Sequence, residues 1–275
     1  MYIDSHQHFW KYSPADLSWI DDSMDVLKRD YLPEDLIDTL KSEGFDGCIS
    51  VQAQQKEKET QFLLELSEHH SFIKGVVGWV DLQSDKVGEV LCDLKKYSKF
   101  KGVRHLVQDE PDIDFILRKN FQRGIARLAD YSLTYDILIF PQHLENAYQL
   151  VKAFPQQKFV IDHLAKPLIK NKIMEPWATH LQRIAELPNV MCKLSGMVTE
   201  AKWGDWQEED FYPYLDVVVR SFGVDRIMVG TDWPVSLLSG SLSSTINIVK
   251  NYFRSSDKTD IDKIFGGNAR NFYSI

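Results

Sequence analysis

The chain alternates short apolar segments with amphipathic segments from one end to the other, and this rhythm limits its possible folds more than any other feature. Amphipathic stretches such as PEDLIDTLKSEG, in which Leu36, Ile37 and Leu40 share one helical face, lie between the apolar segments. Eight segments have the length and composition of buried strands: MYIDSH, GCISVQA, GVVGWVDL, GVRHLV, YDILIF, KFVIDH, VMCKLSG and RIMVGTD. Apolar strands that are each followed by a helix predict a parallel sheet covered by helices.

Eight such units in 275 residues predict closure into an α/β fold of the (β/α)₈ TIM barrel type. A doubly wound open sheet is the alternative, but no GxGxxG motif follows the first strand. No Pro/Gly/Ser-rich linker interrupts the alternation, so we expect one domain over residues 1–275. The longest irregular stretch, FWKYSPADLSWIDDSMDVLKRDYL, follows the first strand and would lie over the mouth of a barrel.

Charge and cysteine content narrow the class of protein. The net charge is -8 and no basic run is present, which argues against a nucleic-acid or anionic-membrane surface. Cys48, Cys92 and Cys192 are widely spaced and lie in or beside apolar stretches, which predicts reduced core thiols. With no secretory signal pattern, the expected location is cytoplasmic. The sequence leaves the oligomeric state open, a homo-oligomer included.

Polar residues end three of the predicted strands. His6 and His8 are two residues apart on the first strand, so their side chains point the same way. His163 ends the sixth strand and Asp232 ends the eighth. Because strands one and eight are neighbours in a closed barrel, we expect these four side chains to converge at its carboxyl-terminal mouth.

Two chemistries fit this set of groups. Three imidazoles and one carboxylate are suitable ligands for Zn²⁺ or a similar divalent ion that activates water. The same groups also suit metal-free hydrolysis, in which the carboxylate is a general base and the histidines polarise a carbonyl. An HxH pair alone is often accidental, but polar residues that all end apolar strands are costly to desolvate without a function.

At these residues the chain resembles the amidohydrolase superfamily, and within it the sugar-lactone hydrolases that include L-rhamnono- and L-fucono-lactonases. The resemblance covers essentially the whole chain, and IDSHQHFW together with VGTDWPV is its most specific part. It implies that His6, His8, His163 and Asp232 are the superfamily's metal or catalytic positions. Further matching segments are LKRDYLPEDL, VQAQQKEKET, GVRHLVQDEPD, IDHLAKP, KLSGMVTEA and IFGGNARNFY.

The fifth strand departs from the wider superfamily. YDILIFPQHL offers no candidate for a carboxylated lysine, so a binuclear centre is not expected. The resemblance implies at most one divalent metal ion, with Zn²⁺ the best match to the ligands. Because enzymes of this branch are similar to ones that work without a tightly held metal, metal-independent hydrolysis remains open.

Further residues near the strand ends are candidates for binding substrate. Arg104 and His105 are adjacent on the fourth strand, so we expect one of the two to enter the pocket. Aromatic rings commonly line sugar sites, and Trp10 and Trp233 follow His8 and Asp232. The predicted substrate-binding set is Trp10, Gln52, Arg104, His105, Lys166 and Trp233.

The resemblance implies hydrolysis of a sugar-derived 1,4-lactone to the aldonic acid. Asp232 would take a proton from water, and His163 would stabilise the oxyanion. No GxSxG motif is present, so a serine nucleophile is not expected. The alternatives are hydrolysis of an aromatic-derived lactone or decarboxylation on the same barrel, and a catalytically dead barrel that binds sugar acids.

Overall fold

The computed structural model describes residues 1–275, and all eight predicted segments form strands of one parallel sheet. Neighbouring strands pair in chain order from β1 to β8. The strands are β1 Ile3–Gln7, β2 Gly47–Val51, β3 Ile73–Gly78, β4 Phe100–Leu106, β5 Thr134–Leu138, β6 Phe159–Ile161, β7 Val190–Leu194 and β8 Ile227–Val229. The predicted α/β barrel is confirmed.

Helices follow the strands and cover the outside of the sheet. The principal helices are α1 Pro33–Ser42, α2 Glu57–His69, α3 Val87–Leu94, α4 Lys119–Asp130, α5 Leu144–Ala153, α6 Trp177–Ala185, α7 Tyr212–Phe222 and α8 Leu242–Tyr252. The chain ends in the short helices α9 Lys258–Asp262 and α10 Asn268–Tyr273, joined by a π-helical turn at Lys263–Gly267. None of these helices is long and apolar enough to cross a membrane.

The first helix shows how local sequence sets its ends. Pro33 occupies the first turn, where no backbone donor is needed, and Asp35 Oδ2 accepts a hydrogen bond from Leu32 N at 2.9 Å. Gly44 follows the last turn at φ +90°, a conformation that favours glycine. Leu36 and Leu40 are buried against the sheet, so the predicted helix and its apolar face are confirmed.

The barrel closes where β1 meets the segment after β8. Asp232 N donates to His6 O at 2.8 Å, and His8 N donates to Trp233 O at 2.7 Å. The Asp4 carboxylate crosses the same seam and accepts from Thr231 N at 2.8 Å and from Thr231 Oγ1 at 2.6 Å. Because β8 is only three residues long, these bonds join strands that the sheet ladder alone leaves weakly paired.

Two apolar layers surround a polar centre. The larger layer lies between the sheet and its helices, and the smaller one fills the amino-terminal end of the barrel around Ile3, Ile49 and Met228. Phe272 and Tyr273 of α10 close that end. Nearer the mouth, the barrel interior is lined by polar residues. Cys48 and Cys192 are buried as predicted, but Cys92 is exposed on the outer face of α3, so its assignment to the core was wrong.

Candidate active site

The four residues predicted to converge lie around one carboxylate oxygen. Asp232 Oδ1 is 3.4 Å from His8 Nε2, 3.7 Å from His163 Nε2 and 3.8 Å from His6 Nε2. All four residues are at least 96% buried. Closing the barrel therefore brings β1, β6 and β8 to a single point.

Unusual backbone conformations hold two of these residues. Asp232 has φ +55°, and His163 begins a left-handed turn of four residues in which φ runs from +51° to +58°. Each non-glycine residue in this region costs about 1–2 kcal/mol, so such runs persist only where surrounding contacts enforce them. Opposite the turn, Gly196 has φ +62°, and a Cβ there would lie 2.4 Å from His163 Nδ1. The glycine leaves the space that the imidazole occupies.

Hydrogen bonds on the far side of two imidazoles fix their orientation. His8 Nδ1 lies 2.8 Å from Val51 O and must donate its proton to that carbonyl, which leaves a lone pair on Nε2. His163 Nδ1 lies 2.9 Å from Ser195 Oγ, a hydroxyl that can donate or accept. The Nε2 atoms of both rings face Asp232 Oδ1.

Burial and mutual contacts set the charges at this point. Burial lowers the pKa of His163 to about 4 and also lowers the pKa of His8, so both rings are neutral at pH 7. Burial alone would raise the pKa of Asp232, but the neighbouring His163 and His8 outweigh it and the pKa is lowered. Asp232 is therefore an ionised acceptor beside neutral imidazoles.

The donor set fits a single divalent ion. Ligand atoms around a tetrahedral Zn²⁺ with bonds of about 2.0–2.1 Å lie about 3.4 Å apart. The Nε2 atoms of His6 and His8 are 3.2 Å apart, and each lies within 3.8 Å of Asp232 Oδ1. His6, Asp162 and His163 form a second acidic and imidazole group, but Asp162 is already bound by two cations. The residues thus suit one ion better than two.

A buried network of charges lies beneath the histidines. Lys193 Nζ is 2.5 Å from Asp136 Oδ2, 3.0 Å from Asp162 Oδ1 and 3.1 Å from His6 Nδ1. Tyr273 donates its hydroxyl to Asp136 Oδ2 at 2.8 Å. Burial by itself would raise the pKa of Asp162, but Lys193 and His6 beside it hold that pKa well below its usual range. Lys193 thus pairs with both carboxylates, and all three side chains are fully buried.

Arg104 joins this network to the site. Its Nη1 donates to Asp162 Oδ2 at 3.0 Å and lies 3.2 Å from His6 Nε2. Gln52 accepts from the guanidinium through both its side-chain and backbone oxygens. Gln52 is fully buried, holds Arg104 in position and is not among the residues that line the cavity.

A cavity of about 390 Å³ opens above the convergence point. Arg104, Lys166 and Asp232 contribute polar groups to its wall, while Leu138 and Phe140 contribute apolar surface. The long segment after β1 contributes Trp19 and Met24, so its predicted place over the mouth is confirmed. A larger groove, of about 610 Å³, lies on the outer surface between α3 and α4 and contains none of the predicted site residues.

Three predicted substrate-binding residues, Trp10, His105 and Trp233, are not among the residues that line this cavity. His105 stacks on Phe115 with ring centroids 4.7 Å apart, because strand alternation directs Arg104 inward and its neighbour outward. Trp10 is fully buried and donates from Nε1 to Arg29 O at 2.9 Å. Trp233 packs against Tyr31, with ring centroids 5.1 Å apart. Each of the three rings is used in packing, and none lines the cavity.

Other residues of the site were missed from the sequence. Asp136 and Lys193 are charged residues inside apolar strand segments, YDILIF and VMCKLSG, and that contrast was an available signal. Asp162 was overlooked beside His163 in the same segment. Glu200, which lines the cavity, lies in an ordinary polar turn and carried no such signal.

One family model and two known proteins illustrate what this chain is similar to in sequence. The family model described as Amidohydrolase matches residues 3–275. An L-fucono-1,5-lactonase from Burkholderia multivorans (strain ATCC 17616 / 249) is 36% identical over 99% of this chain and 96% of that protein. An L-rhamnono-gamma-lactonase from Scheffersomyces stipitis (strain ATCC 58785 / CBS 6054 / NBRC 10063 / NRRL Y-11545) is 24% identical over 64% of this chain and 59% of that protein.

Solved structures show the same architecture. The crystal structure of an amidohydrolase from Burkholderia multivorans with bound zinc superposes with a TM-score of 0.97 at 36% identity, covering 100% of this chain and 99% of that one. A 2,6-dihydroxybenzoate decarboxylase from Rhizobium superposes with a TM-score of 0.71 at 13% identity, covering 99% of this chain and 98% of that one. The second likeness shows only a shared fold.

Proposed function

The chain belongs to the amidohydrolase family, and from that premise we propose that it hydrolyses the ring ester of a sugar-derived lactone to give the aldonic acid. The observation that carries this proposal is the ionised Asp232 carboxylate, which faces three imidazoles at the floor of the cavity. The names of the lactonase relatives support the same substrate class.

Asp232 is the proposed general base. Its carboxylate takes a proton from water as the water oxygen bonds to the lactone carbonyl carbon. When the tetrahedral intermediate collapses, the bond from that carbon to the ring oxygen breaks, and Asp232 returns the proton to the ring oxygen. The product is a hydroxy acid, which releases a proton to the medium at neutral pH.

His163 and Arg104 are the proposed stabilisers of the oxyanion. The neutral His163 ring can present an N–H from Nε2, and Arg104 places a permanent cation in the cavity wall. The bonds from Gln52 and Asp162 fix the guanidinium, so it needs no reorganisation as charge develops. His6 and His8 complete the polar floor. Lys166 is a proposed contact to the substrate.

A metal cofactor is compatible with the same residues. His6, His8 and Asp232, with His163 beside them, would hold one divalent ion, for which Zn²⁺ is the best chemical match. When bound, such an ion polarises the carbonyl and lowers the pKa of water. Arg104 is not among these ligands and keeps its donors whether or not the ion is bound.

Ring size is the open part of the substrate assignment. The sequence predicted a 1,4-lactone, whereas the relative from Burkholderia multivorans is named for a 1,5-lactone. Both rings carry the same ester and differ by one ring atom, so the proposed chemistry is common to them. A direct comparison of the 1,4- and 1,5-lactones of L-fucose and L-rhamnose distinguishes the two.

The test is acid release from these lactones, measured with a pH indicator for wild type and for Asp232→Asn. We expect turnover by wild type and a decrease in kcat of about 10²- to 10⁴-fold in the variant, since asparagine cannot accept the proton. Glu209→Gln, at an exposed position, is the matched control and should retain wild-type rates. Failure of wild type to open any of the lactones would refute the proposal.

A further inference from the structure

Two charged side chains face the cavity beside Asp232 without a hydrogen bond to the protein. Lys166 Nζ and Glu200 Oε1 are 3.8 Å apart, which is longer than a hydrogen bond. Only 18% of the Lys166 side chain and 20% of the Glu200 side chain are exposed, and both line the cavity. Groups that lose most of their hydration need polar partners, so these two suit hydrogen bonding to a ligand.

The backbone holds Lys166 in this position. The left-handed turn runs from His163 to Lys166, and Lys166 N donates to His163 O at 2.7 Å. Residues three apart in so tight a turn share one side, so the turn directs both the imidazole and the ammonium into the cavity. The ammonium lies 5.4 Å from the centre of the Phe140 ring, an apolar and cation-attracting surface.

Glu200 is fixed from the opposite side. Its backbone N donates to Met197 O at 3.1 Å, and its backbone O accepts from Lys170 N at 2.9 Å. Both the residue before it, Thr199, and Glu200 itself line the cavity. The carboxylate is therefore presented by a backbone that is bonded in both directions.

The chemistry of this pair favours a neutral ligand that is rich in hydroxyls. The ammonium offers only donors and the carboxylate only acceptors, whereas a hydroxyl can both accept from one and donate to the other. Their charges cancel, and Asp162 already pairs with Arg104. The cavity therefore has no uncompensated cation for an additional carboxylate on the substrate.

We infer that Lys166 and Glu200 form the hydroxyl-binding end of the cavity and select a polyhydroxylated lactone over an unsubstituted one. This inference rests on the proposed function and adds the residues that recognise the sugar. Removing the partner of a buried donor or acceptor is costly, so a lactone without hydroxyls leaves both groups unsatisfied and binds poorly.

The test measures binding without hydrolysis. A six-membered lactam with the hydroxyl pattern of L-fucono-1,5-lactone and the unsubstituted δ-valerolactam are titrated by calorimetry into wild type, Glu200→Gln, Lys166→Met and the exposed control Glu209→Gln. We expect wild type and Glu209→Gln to prefer the hydroxylated lactam. Glu200→Gln and Lys166→Met should each reduce that preference at least tenfold.

Retention of the wild-type preference in both cavity variants, with folding verified by circular dichroism, would overturn the inference. So would the absence of any preference in wild type. Because a lactam reports binding alone, these outcomes are separate from a failure of wild type to hydrolyse lactones. A decrease in only one variant would assign hydroxyl binding to that residue alone and would overturn the role of the pair.

Discussion

Asp4 accepts a hydrogen bond of 2.6 Å from Thr231 Oγ1, which ties the first strand to the residue immediately before Asp232. Asp4 Oδ1 also accepts from His6 N at 3.1 Å and from Thr231 N at 2.8 Å. One buried carboxylate thus fixes the backbone next to two residues of the candidate site. This makes Asp4 a positioning residue that does not line the cavity.

We predict that Asp4→Ala lowers both stability and kcat. Three donors lose their acceptor, so the free energy of unfolding measured by urea denaturation should decrease by about 2–4 kcal/mol. Asp4→Asn retains one acceptor oxygen and should recover most of the loss. The control is Asp46→Ala, which removes an exposed carboxylate bonded to Tyr2 N at the other end of β1. An Asp4→Ala protein with wild-type kcat would contradict the positioning role.

In the buried charge network, loss of one charged partner should strongly lower the free energy of unfolding. Lys193→Met leaves the Asp136 carboxylate without its cation and should destabilise the protein by about 3–5 kcal/mol. Tyr273→Phe removes a single hydrogen bond from the same carboxylate and should cost about 1 kcal/mol. Thermal and chemical unfolding measure both values. Equal effects of the two variants would show that the ion pair contributes no more than the hydroxyl.

Gly196 offers a test of how tightly His163 is held. Gly196→Ala places a Cβ 2.4 Å from the imidazole at φ +62°, so we expect about 2–4 kcal/mol of destabilisation and a large decrease in kcat. Gly204→Ala is matched in φ, at +68°, but a Cβ there meets no atom within 4 Å. That control should cost about 1 kcal/mol through backbone strain and leave the rate unchanged. Similar kcat values for the two variants would remove the steric explanation.

The buried carboxyl group of Glu59 should make the stability of the protein depend on pH. Burial raises the pKa of Glu59 to about 8, although the carboxylate accepts hydrogen bonds from Ala53 N and Gln54 N. The folded protein thus binds more protons than the unfolded chain between about pH 4.5 and pH 8, so this contribution to stability falls as pH rises through that window.

Urea unfolding at pH 5, 6.5 and 8 measures this effect. The Glu59 contribution to the free energy of unfolding should decrease by a few kcal/mol across the window, and Glu59→Gln should flatten the dependence. Glu57→Gln, an exposed position in the same helix, is the control and should follow wild type. Identical pH dependence in wild type and Glu59→Gln would contradict the prediction.

The donor set predicts the stoichiometry of any bound ion. After loading with Zn²⁺ and dialysis, elemental analysis should find no more than one ion per chain, because Lys193 and Arg104 already occupy the carboxylate of the second group. His8→Gln should reduce zinc affinity at least tenfold, while His105→Gln, which alters a histidine outside the cavity, should not. Two ions per chain would contradict the argument. Turnover by the metal-free protein decides whether the ion is required.

The alternation of eight apolar strands with amphipathic helices was enough to predict the parallel barrel, since periodicity and strand length are local properties of the sequence. It also predicted the convergence of His6, His8, His163 and Asp232, because chain order in a barrel fixes which strand ends meet. These residues all lie at recognisable strand termini.

Only the tertiary structure decided which neighbouring side chains face the cavity. Trp10, Trp233 and His105 stand beside site residues in the sequence but pack elsewhere, because strand direction and aromatic contacts govern their orientation. Lys166 and Glu200 are 34 positions apart in the numbering and meet only through a left-handed turn and the chain after β7. Charge pairing across an interior depends on distances between strands, and local sequence does not contain those distances.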